Sequence, residues 1–249
     1  MALHTPPSPR GRCLRAGLST ALLWVVVEAG LRWTGLGLVL WWDAARAPVT
    51  VGTLFWANVV AVIPPLLVLA WLVARRVRRD GLTWTDLGYR PWRVGVWPAA
   101  GAAAAALGTV LAIEPWEDAL FPNAARQHLW DEGRRLAGPL IGLLAVPVNG
   151  LLGPLVEEFA WRGYIQTRMI LALGSSTGIV ATALLFAAKH AVVDVTLSRS
   201  VTVTVVAFVL GIVGARWGTQ ASTVTHMAAN AVATLVVLVL DPLLPGLFS

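Results

Sequence analysis

Charge is scarce in this chain, lysine is nearly absent, and cysteine is reduced to one residue. Asp, Glu, Lys and Arg make up 13% of the 249 residues, where about a quarter is usual for a soluble domain. So few charges cannot cover a water-facing surface, and an ordinary soluble domain is excluded. The single cysteine, Cys13, rules out a disulfide framework and a cysteine-based metal centre. Lys189 is the only lysine. The formal net charge is +6, but the arginines flank apolar runs and form no basic face, so nucleic acid is not the expected partner. What is present instead is apolar: 57% of residues, with a mean hydropathy of +0.71. A lipid bilayer is the solvent that fits.

Seven apolar runs approach the roughly 20 residues that cross a ~30 Å hydrocarbon core. They lie at about 18–42, 50–74, 94–113, 137–170, 176–194, 200–217 and 219–240. The fourth is too long for one crossing and carries Arg162, Gln166 and Arg168, so it is expected to span and then continue along the interface. The predicted fold is an all-α polytopic bundle of seven or eight transmembrane helices. Arg10, Arg12 and Arg15 resemble the head of a signal peptide. The run behind them is long and lacks an A-x-A site, and reads as a first membrane helix. The expected organisation is a disordered basic lead at 1–17, N-terminal helices with a basic loop at 18–136, a core at 137–240 and a tail at 241–249.

Loop charge gives an orientation. Arg75, Arg76, Arg78, Arg79, Arg90 and Arg93 follow the second run, while Glu114, Glu117, Asp118, Asp131 and Glu132 mark an acidic loop after the third. With positive loops inside, the N-terminus is cytoplasmic in the cell membrane and the C-terminus lies outside.

Ionisable groups inside apolar spans are costly and are functional candidates by default. Glu28 and Arg32 sit four apart on the first span and read as a neutralised pair that packs the bundle. Glu157 and Glu158 are adjacent, and Glu158 stands four residues before Arg162, the better order for an ion pair. That pairing leaves Glu157 the less neutralised acid, suited to general-base work, although Glu and Arg also mark water interfaces. His190 lies in the fifth span one turn after Phe186; alone it reads equally as a hydrogen-bonded structural histidine. His226 and Asn230 project from one face of the seventh span, about 6 Å apart, and serve either a site or a polar bridge between helices.

The groups gain meaning together. Gly174-Ser175-Ser176 is a turn signal between the fourth and fifth spans. Glu158 and His190 are each sixteen residues from Gly174. At about 1.5 Å per residue, an antiparallel hairpin brings them to one depth. By the same counting His226 sits shallower. Gly174-Ser175-Ser176-Thr177-Gly178 also matches G-x-S-x-G, but the strand-to-helix setting that this motif needs is missing, and turn chemistry accounts for it.

The boxes E-E-x-x-x-R, F-x-x-x-H and H-x-x-x-N, in this order on successive membrane helices, resemble the CAAX-protease and bacteriocin-processing (CPBP, Abi-type) family of intramembrane proteases. The residues are Glu157, Glu158 and Arg162; Phe186 and His190; His226 and Asn230. The resemblance covers about residues 137–240. It implies a peptide or membrane-protein substrate, with Glu157 and His190 activating a water and Arg162 orienting Glu158. His226 and Asn230 are implied to stabilise the oxyanion. The family is often labelled metalloprotease-like, and Glu157, His190 and His226 are a sufficient donor set for Zn²⁺. H-E-x-x-H is absent, and the expectation is a metal-free mechanism without a cofactor. Two other classes would use the same residues. A proton- or ion-coupled transporter would use them as a relay, though no inverted repeat is visible. A non-catalytic bacteriocin-immunity or scaffold protein would not use them chemically. The sequence sets no oligomeric state.

Overall fold

In the computed structural model, residues 8–44, 51–90, 96–122 and 145–236 are described. Their regular structure is entirely helical. Helix α1 runs Pro9–Ala44, α2 Val51–Arg79 and α3 Val96–Leu120. Four stretches then follow without a break: Val146–Leu152, Gly153–Glu158, Phe159–Gln166 and Thr167–Leu173. The first and third have wide π-type winding, and the whole run is α4. Helix α5 is Ser175–Val193, α6 Ser200–Trp217 and α7 Thr219–Leu235. Helix begins at Pro9, so most of the arginine-bearing lead is helical rather than disordered. The tail at 241–249 lies outside the described residues.

The packing is inverted relative to a soluble protein. Leu22, Val26, Trp71, Leu111, Leu184 and Val201 are exposed, whereas Glu28, Glu157, Glu158, Arg162, Lys189 and His226 are buried. Lipid explains both halves: apolar side chains lose nothing by facing acyl tails, and charges must turn inward to partners. Among the described residues four segments are long and apolar enough to cross a membrane: Pro9–Val39, Ala99–Glu117, Ser175–Val193 and Ser200–Trp217. This is fewer than the seven or eight expected. Helix α4 carries Glu157, Glu158, Arg162 and Arg168, and the first turns of α7 are crowded with Thr219, Gln220, Ser222, Thr223, Thr225 and His226.

Aromatic rings form the spine of the core. Trp24 of α1 meets Trp161 of α4 edge-on at 6.1 Å, and Trp161 meets Phe186 of α5 at 5.2 Å. Gly174 turns α4 into α5 with φ +87°, a conformation glycine tolerates. At Gly178 a Cβ would come within 2.6 Å of the Ile170 nitrogen, so the two helices touch backbone to backbone. Ser176 is exposed at this turn, away from the buried histidine of α7.

Helix α7 starts deep. Thr219 N–H donates to the Gly88 carbonyl at 3.0 Å, and a Cβ at Gly163 would lie 3.5 Å from the Leu87 carbonyl oxygen. The head of α7 is therefore level with the middle of α4, and the α4–α5 hairpin protrudes beyond it. That offset corrects the shallower position that residue counting gives His226. Glu117 is also displaced from expectation: it is buried, and its carboxylate accepts the Val201 N–H at 2.5 Å and the Thr202 N–H at 2.9 Å, capping α6 from α3.

Below the core, Asp80 joins α2 to α4. It accepts the Tyr164 hydroxyl and the Arg168 guanidinium, each at 2.7 Å. Burial pushes the Asp80 carboxyl up, but those two donors outweigh it and hold it below its ordinary value of 3.8. A depressed folded-state value stabilises the fold above pH 3.8 and loses that contribution as pH falls through the folded value. Asp80→Asn is therefore expected to lower stability by about 1–2 kcal/mol near neutrality. The variant should also lack the part of the acid-induced loss that wild type shows below pH 3.8, measured by thermal unfolding in detergent.

Candidate active site

Glu158 is fully buried and has three partners on two helices. Its Oε1 lies 3.0 Å from His226 Nδ1, its Oε2 accepts the Ser222 hydroxyl, and Arg162 Nε stands 3.5 Å away. The Arg162 pair realises the expected i,i+4 spacing. Arg162 also donates to the Ala207 carbonyl at 3.3 Å and lies 4.9 Å over the Phe186 ring. One contact on Oε1 and two on Oε2 keep this carboxylate ionised in a place where an isolated one would be prohibitive.

Glu157, expected to be the less neutralised acid, has a cation of its own. Lys189 of α5 donates to its Oε1 at 2.6 Å. The same ammonium reaches Glu28 of α1 at 3.4 Å, and Glu28 accepts the Trp24 indole N–H at 2.6 Å. The Glu28–Arg32 pair is accordingly replaced: Arg32 binds Asp194 at 3.0 Å instead. Lys189 stands beside His190 and outside the three boxes. As the only lysine, lying inside an apolar span, it satisfied the rule that intramembrane charges are candidates. Ser222 gave no comparable signal.

His190 is half-buried. Its Nδ1 stands 3.5 Å from Asp194, which fixes the ring and directs Nε2 away from the carboxylate. Burial raises the Asp194 carboxyl, but His190 and Arg32 hold it well below the usual carboxylate range. Phe186 is more than packing: His190 meets it edge-on at 4.8 Å and His226 at 6.4 Å. One phenyl ring is thus flanked by both imidazoles, and both also act electrostatically on Glu157. Asn230 donates to the Asn149 carbonyl at 3.2 Å, one turn beyond His226.

The structure therefore brings all three boxes to one place. Glu157, Glu158 and Arg162 come from α4, Phe186 and His190 from α5, and His226 and Asn230 from α7. Among the described residues no group of three His, Cys, Asp or Glu side chains stands placed to hold a metal ion.

Acids and imidazoles around one aromatic ring, with an amide one turn beyond, can move a proton and stabilise a negative oxygen. Comparison with known proteins bears on which chemistry this is. No curated protein and no solved structure matches the chain. Residues 139–232 match the family model described as type II CAAX prenyl endopeptidase Rce1-like, a stretch that contains every residue of the three boxes. Over residues 139–232 the chain is thus similar to the Rce1-like family of type II CAAX prenyl endopeptidases, which supports the resemblance to CPBP-type intramembrane proteases.

Proposed function

We propose that this protein is an intramembrane endopeptidase in which Glu157 and His190 activate a water for attack on a peptide carbonyl. The supporting observation is the convergence of a buried carboxylate pair with two imidazoles around Phe186. The water oxygen bonds to the carbonyl carbon as its proton passes to Glu157, assisted by His190. Negative charge then gathers on the former carbonyl oxygen, where His226 and the Asn230 amide donate hydrogen bonds. Glu158 beside Nδ1 holds the His226 ring in place and leaves Nε2 to face the substrate. The proton is delivered to the leaving nitrogen as the C–N bond breaks. The general base contributes about 10²–10⁴-fold and each oxyanion donor about 10²–10³-fold.

In this reading the chain is a multi-pass protein of the cell membrane with a cytoplasmic N-terminus, and the seven helices all lie in or against the bilayer. Its substrate is a peptide or a membrane protein. The test uses purified protein in detergent with a quenched peptide ending in a farnesylated CAAX box and the same peptide without the lipid. His190→Ala should lower cleavage by about 10²–10⁴-fold, Ser176→Ala should leave it unchanged, and a chelator should have no effect. Loss of activity in Ser176→Ala would point to a serine nucleophile. Loss on chelation would restore a metal. Proton flux into liposomes that depends on Glu157, with no peptide cut, would make the protein a transporter.

A further inference from the structure

Helix α1 lies outside the segment that matches the family, yet two of its residues connect to the site, Glu28 through Lys189 and Trp24 through Trp161. Glu28 and Trp24 are one turn apart, and both are buried. The Trp24 indole donates to Glu28 and packs edge-on against Trp161, which in turn meets Phe186. Lys189, 1% exposed, is shared between Glu28 at 3.4 Å and Glu157 at 2.6 Å, with the Phe186 ring 5.1 Å from its nitrogen. Two carboxylates thus hold one ammonium from opposite helices. A lysine ammonium has three donors on a flexible stem. With Glu157 as its only acceptor it would be free to swing, and the carboxylate with it. Glu28 fixes the far side of the ammonium.

We propose that Glu28 is a positioning residue of the site, acting on Glu157 through the Lys189 ammonium that the two carboxylates share. The charged groups around this triad are His190 and Asp194 from α5 and its following loop, Glu158 and Arg162 from α4, and His226 from α7. Glu158 is already matched by Arg162, so Lys189 is the cation left for Glu157. The kinetic consequence rests on the hydrolytic reading above, whereas the triad itself does not.

The experiment uses the full chain in detergent and two independent readouts. Infrared difference spectroscopy follows the C=O stretch of a protonated carboxyl. Lys189→Met should add such a band, because a buried carboxylate that loses its cation takes up a proton. The band should shrink in Lys189→Met/Glu157→Gln, vanish when Glu28→Gln is added, and be absent in Lys189→Arg. Kinetics with the quenched CAAX peptide give the second readout. Glu28→Gln keeps shape and removes charge, and should lower kcat by roughly tenfold with KM unchanged, a loss of the size that slight misplacement produces. Glu28→Gln serves even where Lys189→Met fails to fold. An unchanged kcat in Glu28→Gln, or a Lys189→Met band that Glu157→Gln leaves undiminished, would overturn the proposal. Full cleavage by Glu157→Gln would instead remove the hydrolytic reading, and the infrared bands would then decide the triad by themselves.

Discussion

Glu157→Gln is expected to lower kcat for peptide cleavage by about 10²–10⁴-fold with KM and folding unchanged. The substitution keeps the shape of the side chain and removes its ability to accept a proton from water. The bundle should survive it, because Lys189 retains Glu28 as a partner at 3.4 Å and the neutral amide oxygen still accepts a hydrogen bond. The measurement is steady-state cleavage of the quenched peptide, with thermal unfolding of the same preparation as the control. A variant that stays folded and cuts at the wild-type rate would remove Glu157 from the mechanism. A rise in KM alone would make it a binding residue.

The second large effect concerns stability. Glu158→Ala should destabilise the protein by about 3–5 kcal/mol, the cost of stranding a buried charge. Arg162 and Glu158 have fully buried side chains, and Ser222 and His226 would lose their shared acceptor at the same stroke. Glu158→Ala/Arg162→Met should recover part of that loss, since removing both charges is far less costly than removing one. Denaturant titration in mixed micelles on the two single variants and the double variant gives the coupling. Additive losses would mean that the pair makes no net contribution, and the buried arginine would then need another explanation.

Much of this site could be read from spacing because its boxes are local. E-E-x-x-x-R fixes the Glu158–Arg162 pair, H-x-x-x-N fixes the shared face of His226 and Asn230, and the glycine at 174 fixes the hairpin that levels Glu158 with His190. What spacing misreads is choice among partners. Glu28 has Arg32 one turn away and still takes Lys189 from a helix far along the chain, while Arg32 goes to Asp194. Nothing in the order of residues ranks a near cation below a distant one; the rotation of α1 against α5 does. The same limit misplaces Glu117, whose position among other acids suggests a water-facing loop although its carboxylate is buried. Depth was misjudged for another reason. Counting at a fixed rise treats every turn as lying at the membrane edge, whereas the turn at Gly218 is tied to the Leu87–Gly88 backbone beside the middle of α4.

The carboxylate of Glu117 at the head of α6 bears on what counts as the smallest autonomous unit of this protein. It satisfies the amides of Val201 and Thr202, together with the Thr202 hydroxyl. Hydrocarbon offers no substitute acceptor for them. A fragment trimmed to the family-matched stretch would begin life with those donors bare. The first three helices are therefore not a dispensable membrane anchor but part of the solvent in which the rest of the chain folds.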